Sequence, residues 1–250
     1  MTGPGACDRK AEGGERSGLR RRPTTRRACV PGPVNQAGCV RHGLGRASAA
    51  LDVQTGGGEV LAGAPVLPPV TAATESWPPN AAKATVLLHP RGVVVVADPD
   101  EPPLPFADAA FDLVTSRHPV TVWWREIARV LRPGGTYLSQ QVGPASAAEV
   151  YEFFLGPQPS GAGGARDPET ARAGAEAAGL EVLDLRLERL RMEFHDIGAV
   201  VYFLRKVIWM VPDFTVERYR ARLYDLHRLI TTRGPFVAHS TRFLIEARKP

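Results

Sequence analysis

Acidic residues recur in this chain wherever an apolar run ends. Asp52 stands inside Leu51-Asp52-Val53, directly before Gln54-Thr55-Gly56-Gly57-Gly58-Glu59, and Glu75 closes Val70-Thr71-Ala72-Ala73-Thr74. Asp98 and Asp100 follow Val93 to Val96, Ser116-Arg117-His118 follow Phe111 to Thr115, and Gln140 and Gln141 lie near the end of a later run. Consecutive glycines permit positive φ and let a ligand lie against the main chain. A carboxylate roughly 20 residues past such a loop is placed to accept hydrogen bonds from both hydroxyls of a ribose, a role suited to Glu75. An adenosine-containing ligand is implied.

Two ligand types meet that description. A dinucleotide needs G-x-G-x-x-G and a helix N-terminus aimed at its pyrophosphate. Gln54-Thr55-Gly56-Gly57-Gly58 does not have that spacing. Asp52 would repel a pyrophosphate, yet it suits an ammonium group, so a ligand with adenosine at one end and an amino acid at the other fits better. His118, whose type titrates near neutrality, is the side chain nominated to deprotonate a hydroxyl or amine acceptor. The alternative is a strand-end histidine that only bonds a neighbouring carbonyl. His89, His195, His227 and His239 are scattered and give His118 no companion at a metal-ligand spacing, so no metal site is expected.

These residues need a scaffold that brings strand ends together. From Ala49 onward apolar runs alternate with helical patterns, the mark of an α/β fold with a parallel sheet. Strands are expected at 50–53, 70–74, 93–96, 111–115, 136–142, 180–190 and 236–247. The β-branched run Val93 to Val96 reads as a strand covered on both faces. Four prolines make 98–106 a loop. Helices are expected from Asn80, as a cap, through Leu88; over Trp123 to Leu131; from a Ser146/Glu149 capping box through Leu155; and from Asp167-Pro168 to Gly179. Between 194 and 234 the alternation stops. Ile197 to Val211 is apolar nearly all round, and Tyr219, Leu223, Leu226 and Ile230 share one helical face. This helical insertion before the last strand is either a lid or acceptor pocket, or it completes the core.

With 250 residues and a net charge of +5, the chain is basic, but the charge is concentrated at one end. Residues 1–50 hold ten basic groups against three acidic ones, a net +7 that leaves −2 on the remaining 200. The body therefore offers no bulk charge for nucleic acid. Residues 1–46, rich in Arg, Gly and Pro and without periodicity, are expected to be a disordered tail, with residues 47–250 forming one domain. Its composition is explained by a basic arm, by a transit peptide or by a start codon placed too far upstream. All three cysteines fall in it, and no apolar run spans a membrane, so the chain is expected to be cytoplasmic, with a small molecule rather than a membrane or nucleic acid as its partner.

Leu51-Asp-Val-Gln-Thr-Gly-Gly-Gly-Glu59, Glu75, Leu104-Pro-Phe-Ala-Asp-Ala-Ala-Phe-Asp-Leu-Val114 and Glu126-Ile-Ala-Arg-Val-Leu-Arg-Pro-Gly-Gly135 resemble the successive motifs of class I S-adenosylmethionine-dependent methyltransferases of the type 11 group. The resemblance implies a Rossmann-like, doubly wound seven-stranded sheet with its last strand antiparallel. It implies S-adenosylmethionine as cofactor and methyl transfer to a small-molecule acceptor. Asp52, Gly56 and Gly58 would hold the methionine part, Glu75 the ribose, Ser76 and Trp77 the adenine face, and Asp98 or Asp100 the adenine amino group. Ser116 to His118 would lie beside the sulfonium. Gln54 departs from the pattern, which has glycine there; a side chain stands where backbone should approach the cofactor. A degenerate, non-catalytic binding protein is the alternative that this residue motivates.

Overall fold

The computed structural model describes residues 43–158 and 167–250. Along the chain run β1 (Ala49–Val53), α1 (Glu59–Ala62), β2 (Val70–Glu75), α2 (Pro78–Leu88), β3 (Val94–Ala97), β4 (Phe111–Arg117), α3 (Trp124–Val130), β5 (Leu131–Val142), α4 (Ala148–Leu155), α5 (Pro168–Ala177), β6 (Glu181–Phe194), α6 (Ile197–Lys206), α7 (Arg220–Arg233) and β7 (Phe236–Arg248). The strands form one seven-stranded sheet in the order β3-β2-β1-β4-β5-β7-β6. β1, β2, β3, β4 and β5 are parallel, and β7 is antiparallel to both β5 and β6.

Both faces of the sheet are covered, and the period-2 pleat of each central strand feeds both cores. Leu51, Val53, Val114, Tyr137, Phe243 and Ile245 point to one side, where Ile127 and Val130 of α3 and Ala171 and Ala175 of α5 meet them. Ala50, Ala73, Leu113, Leu138 and Leu244 point to the other, against Leu61 of α1 and Ala84 and Leu88 of α2. A third cluster joins Val150 and Phe154 of α4, Val200 and Leu204 of α6, Leu223, Leu226 and Ile230 of α7, and Phe194 and Ala238 at the ends of β6 and β7. The helices of 194–234 thus share a core with α4 and the β6–β7 pair.

Several local expectations change. β3 is not covered on both faces: Val93 and Val95 pack against the core formed with α1 and α2, while Val94, on the opposite face, is 62% exposed, and β3 is also the edge of the sheet. α2 begins at Pro78 with Trp77 as its N-cap, not at Asn80, since prolines in the first helical turn need no N–H donor. No capping box forms at α4. Ser146 instead accepts from the Thr241 N–H, and Glu149 accepts from the His239 N–H and binds the Arg189 guanidinium. β5 starts at Leu131, five residues early, because Leu131 pairs with Phe111 and the Gly134 and Lys249 N–H groups bond across to the chain opposite. The Asp167 cap of α5 is as expected, accepting from the Thr170 N–H at 3.1 Å. Residues 1–42 of the expected tail lie outside the described residues. Residues 43–46 belong to the fold, because Leu44 is 1% exposed within the α1/α2 core.

The loop between β3 and β4 is fastened by Arg129 of α3. Its guanidinium donates to the Leu104 and Phe106 carbonyls and to Glu126 and Asp108, while Glu126 accepts from the Leu104 N–H. The two motifs at 104–114 and 126–135 are one joint in three dimensions.

Candidate cofactor site

In a parallel sheet, ligands bind beyond the carboxyl ends of the strands, where the order of connections reverses. Here that point is β1, with β2 and β3 to one side and β4 to the other. The residues nominated from sequence fall at these ends: Asp52 and Gln54 at β1, Glu75 at β2, Asp98 and Asp100 after β3, and Ser116 and His118 at β4.

Asp52 lies half-buried in the sheet, at the carboxyl end of β1. It accepts from the hydroxyls of Thr55 at 2.7 Å and Thr115 at 2.6 Å. Burial raises its pKa above the ordinary carboxylate value, with the two hydroxyls opposing the rise. No cation among the described residues contributes to its stabilisation. Thr55 and Thr115 were not singled out in the sequence; their signal is a hydroxyl at a strand end beside a half-buried acid.

The glycine loop turns in the left-handed region, with Gly56 at φ +65° and Gly58 at φ +81°. The Gly56 N–H donates to Glu75 Oε2 at 2.7 Å, and the Trp77 N–H donates to Oε1 at 2.9 Å. Glu75, 7% exposed, is therefore the organiser of the loop as well as a ribose candidate. Gly58 is needed for packing: a Cβ there would come 2.9 Å from Leu88 Cδ1 and 3.3 Å from Ala84 Cα. Ser76 is exposed, and Trp77 is 60% exposed, so its ring is not packed in the core.

Asp98 is 7% exposed, and burial raises its pKa. Asp100, in the left-handed region at φ +60°, donates its N–H to Asp98 Oδ2 at 3.2 Å. Its pKa is raised by burial and then by the charges of Asp98 and Glu75, against a hydrogen bond from Gln54. Gln54, also left-handed at φ +56°, sends its carboxamide across the groove. Nε2 donates to Asp100 Oδ1 at 2.8 Å and to the Thr121 carbonyl at 2.9 Å, and Oε1 accepts from the Val120 N–H at 2.7 Å. Pro119 to Trp123 is thus tied to the β3 loop through residue 54, a link that strengthens where Trp123 Nε1 donates to the Asp100 carbonyl at 3.0 Å.

At β4 the picture differs from the sequence expectation. Ser116 is 1% exposed, and its hydroxyl is held at 2.7 Å from Tyr137 and 2.9 Å from Ser139, within a buried network. His118 sits at φ +53°, its N–H donating to the Gln140 carbonyl at 2.8 Å. Burial, followed by the charges of Arg242 and Arg117, lowers its pKa from 6.5 to about 4, so it does not titrate near neutrality. Its Nε2 is buried without a hydrogen-bond partner, as is Nε2 of the neighbouring Gln141. A neutral imidazole with a vacant ring nitrogen can still accept a proton, but its conjugate acid is costly here. A narrow crevice lined by Val53, Ser116, Thr121, Trp123 and Tyr137 runs beside this end of the sheet. It shares Val122 and Trp123 with a larger cleft of about 450 Å³ between α3 and α5, walled by Trp124, Arg125 and Ala177 and containing none of the nominated residues. Among the described residues no group of three or more His, Cys, Asp or Glu is placed to hold a metal, and no helix is long and apolar enough to cross a membrane.

Residues 51–139 match the family model described as a methyltransferase domain, a span that takes in every nominated site residue. No curated protein sequence matches the chain. Among solved structures, a provisionally named methyltransferase of Bacillus halodurans is 20% identical, over 86% of this chain and 97% of that one, with a TM-score of 0.58. The YcgJ protein of Bacillus subtilis is 19% identical over the same shares, 86% and 97%, with a TM-score of 0.56. The [4+2]-cyclase SpnF is 20% identical, over 86% of this chain and 79% of that one, with a TM-score of 0.54. At such identities the structures speak for the fold. The domain match takes in the motif residues, and these solved structures share the fold of this chain.

Proposed function

We propose that the chain binds S-adenosylmethionine at the carboxyl end of β1 and transfers its methyl group to a small-molecule acceptor. The observation that carries this reading is the row of carboxylates around one glycine loop: Asp52 at β1, Glu75 at β2, and Asp98 and Asp100 after β3. Asp52 is half-buried and, among the described residues, forms no salt bridge, an arrangement that a ligand ammonium group would complete. Glu75 has both oxygens on backbone N–H groups and retains lone pairs for a ribose diol.

S-adenosylmethionine would supply an already activated methyl group on its sulfonium. The protein then contributes mainly alignment and exclusion of water. Glu75 and the Gly56 backbone would fix one end of the ligand, and Asp52 would compensate charge at the other. His118 remains the residue nominated to take a proton from an acceptor, but its buried Nε2 and its pKa of about 4 make it a weak base, so alignment carries the step. The helices of 194–234, which share a core with α4, are placed late in the chain as a candidate acceptor cover. We place the protein in a reducing cytoplasm, since its cysteines are confined to residues 7–39, and expect neither nucleic acid nor membrane as partner.

A second reading, a protein that keeps the fold without methylating, is favoured by the Gln54 side chain in the groove. A cyclase among proteins of like fold means that this architecture is not tied to one reaction. Calorimetry of S-adenosylmethionine and S-adenosylhomocysteine against the purified chain separates the two. Saturable binding at micromolar to millimolar ligand supports the first; absence of heat across that range removes it.

A further inference from the structure

Gln54 is a non-glycine residue in a backbone conformation that favours glycine, and its side chain is fully engaged. Its main chain is pinned by Thr74, whose hydroxyl accepts from the Gln54 N–H at 3.2 Å and whose carbonyl accepts from the Thr55 N–H at 2.9 Å. The orientation of the carboxamide is fixed by its partners. A carboxylate and a carbonyl can only accept, so Asp100 Oδ1 and Thr121 O must face Nε2; the Val120 N–H can only donate, so it must face Oε1. Two donated bonds beside one accepted bond is also the pattern of adenine's exocyclic amino group and the ring nitrogen beside it: the amino group donates twice, once towards each edge, and the ring nitrogen accepts.

We propose that the Gln54 carboxamide is an internal stand-in for the adenine edge of the cofactor. It holds the Asp100 carboxylate, the Thr121 carbonyl and the Val120 N–H, and an adenosine ligand must displace it to take those groups. Residue 54 then sets cofactor affinity by competition, and it couples cofactor entry to release of the Pro119–Trp123 segment, which loses its tie to β1 when the carboxamide leaves. This competition rests on the proposed function, with Asp100 as the partner of the adenine amino group. An apparent affinity falls by the fraction of molecules whose site is open, which is how an intramolecular competitor acts.

The test is calorimetric titration of S-adenosylhomocysteine into the full-length chain and into Q54A and Q54G. Glycine tolerates the positive φ and keeps the experiment informative if Q54A does not fold. The variants are expected to bind on the order of tenfold tighter, equivalent to about 1.4 kcal/mol. In the ¹⁵N-labelled wild type, the Gln54 side-chain amide resonances are expected to move to free-glutamine positions on saturation. S-inosylhomocysteine, whose base presents a carbonyl and a ring N–H on that edge, should bind the wild type at least tenfold more weakly. If wild type and variants bind S-adenosylhomocysteine equally, or the variants bind more weakly, the competition is refuted while the proposed function stands. If neither wild type nor variants bind, both fall. Unmoved Gln54 amide resonances in a saturated complex also overturn the proposal.

Discussion

Replacing Glu75 by alanine separates two duties that the structure loads onto one carboxylate. In the free protein, Glu75 accepts from the Gly56 N–H at 2.7 Å and the Trp77 N–H at 2.9 Å. Trp77 is exposed, so water takes over its N–H at small cost; Gly56 is half-buried, and its N–H loses a charge-assisted bond. A bond of that kind contributes about 1.5–3 kcal/mol when buried, and partial exposure brings the expected loss to about 1–2 kcal/mol. For a domain of this size that lowers Tm by roughly 2–8 °C. A ribose diol held by Glu75 would add a further ~1–3 kcal/mol to the loss in cofactor binding, a 5- to 150-fold rise in Kd. A loosened glycine loop would also weaken binding, so the decisive ligand pair is S-adenosylhomocysteine and its 2′-deoxy form. Wild type should prefer the ribose form, and E75A should bind both alike. Retained discrimination by E75A would refute the ribose contact, even if its Tm falls as expected.

Gly58→Ala should cost about 2–4 kcal/mol, because a side chain there meets both left-handed strain and the 2.9 Å approach to Leu88 Cδ1; urea unfolding measures it, and a double-mutant cycle with Leu88→Ala should recover the packing part. Leu44→Ala should cost about 2–4 kcal/mol, and removal of residues 1–42 should leave Tm unchanged; an insensitive Leu44 would contradict its place in the core. His118 should make stability depend on pH. Its pKa is lowered from 6.5 to about 4 in the folded protein, so the unfolded chain binds the proton more readily. Its contribution is present above pH 6.5 and lost as pH falls towards 4, at up to about 1.4 kcal/mol per unit. His118→Asn should flatten that slope in unfolding experiments between pH 4.5 and 7, and a slope that persists would assign it to other groups.

The order of strands and helices was legible because apolar runs of period 2 and helices of period 3.6 leave distinct marks, and because proline or glycine closes most units. What escaped was set by neighbours distant in sequence. Four valines in a row read as a buried strand, but β3 is covered on one face only, and nothing local to Val94 records that. Ser146 and Glu149 have capping-box spacing, yet β7 supplies stronger partners for both through Thr241 and His239. At the site, the positions of Asp52, Glu75, Asp98 and Asp100 followed from strand ends alone. The burial of Ser116 did not, because its hydroxyl answers to Tyr137 and Ser139 on the adjacent strand. Gln54 was visible as a misfit in a glycine pattern, but its partners Val120 and Thr121 lie 66 and 67 residues away, in a loop without any motif.

The Arg129 joint bears on what a family likeness can certify. The stretches 104–114 and 126–135 make the chain recognisable, and in the folded protein they serve a mechanical purpose, in which a guanidinium on α3 clasps the β3–β4 connection to the sheet. Their kinship signal therefore measures whether that clasp is intact. Under the proposed function, cofactor binding rests on other positions, at residue 54 and the acids around it. The two can diverge independently: a change at Gln54 would alter the proposed cofactor groove with the likeness still plainly written, whereas loss of Arg129 would unfasten the loop while leaving every acid of the groove in the sequence.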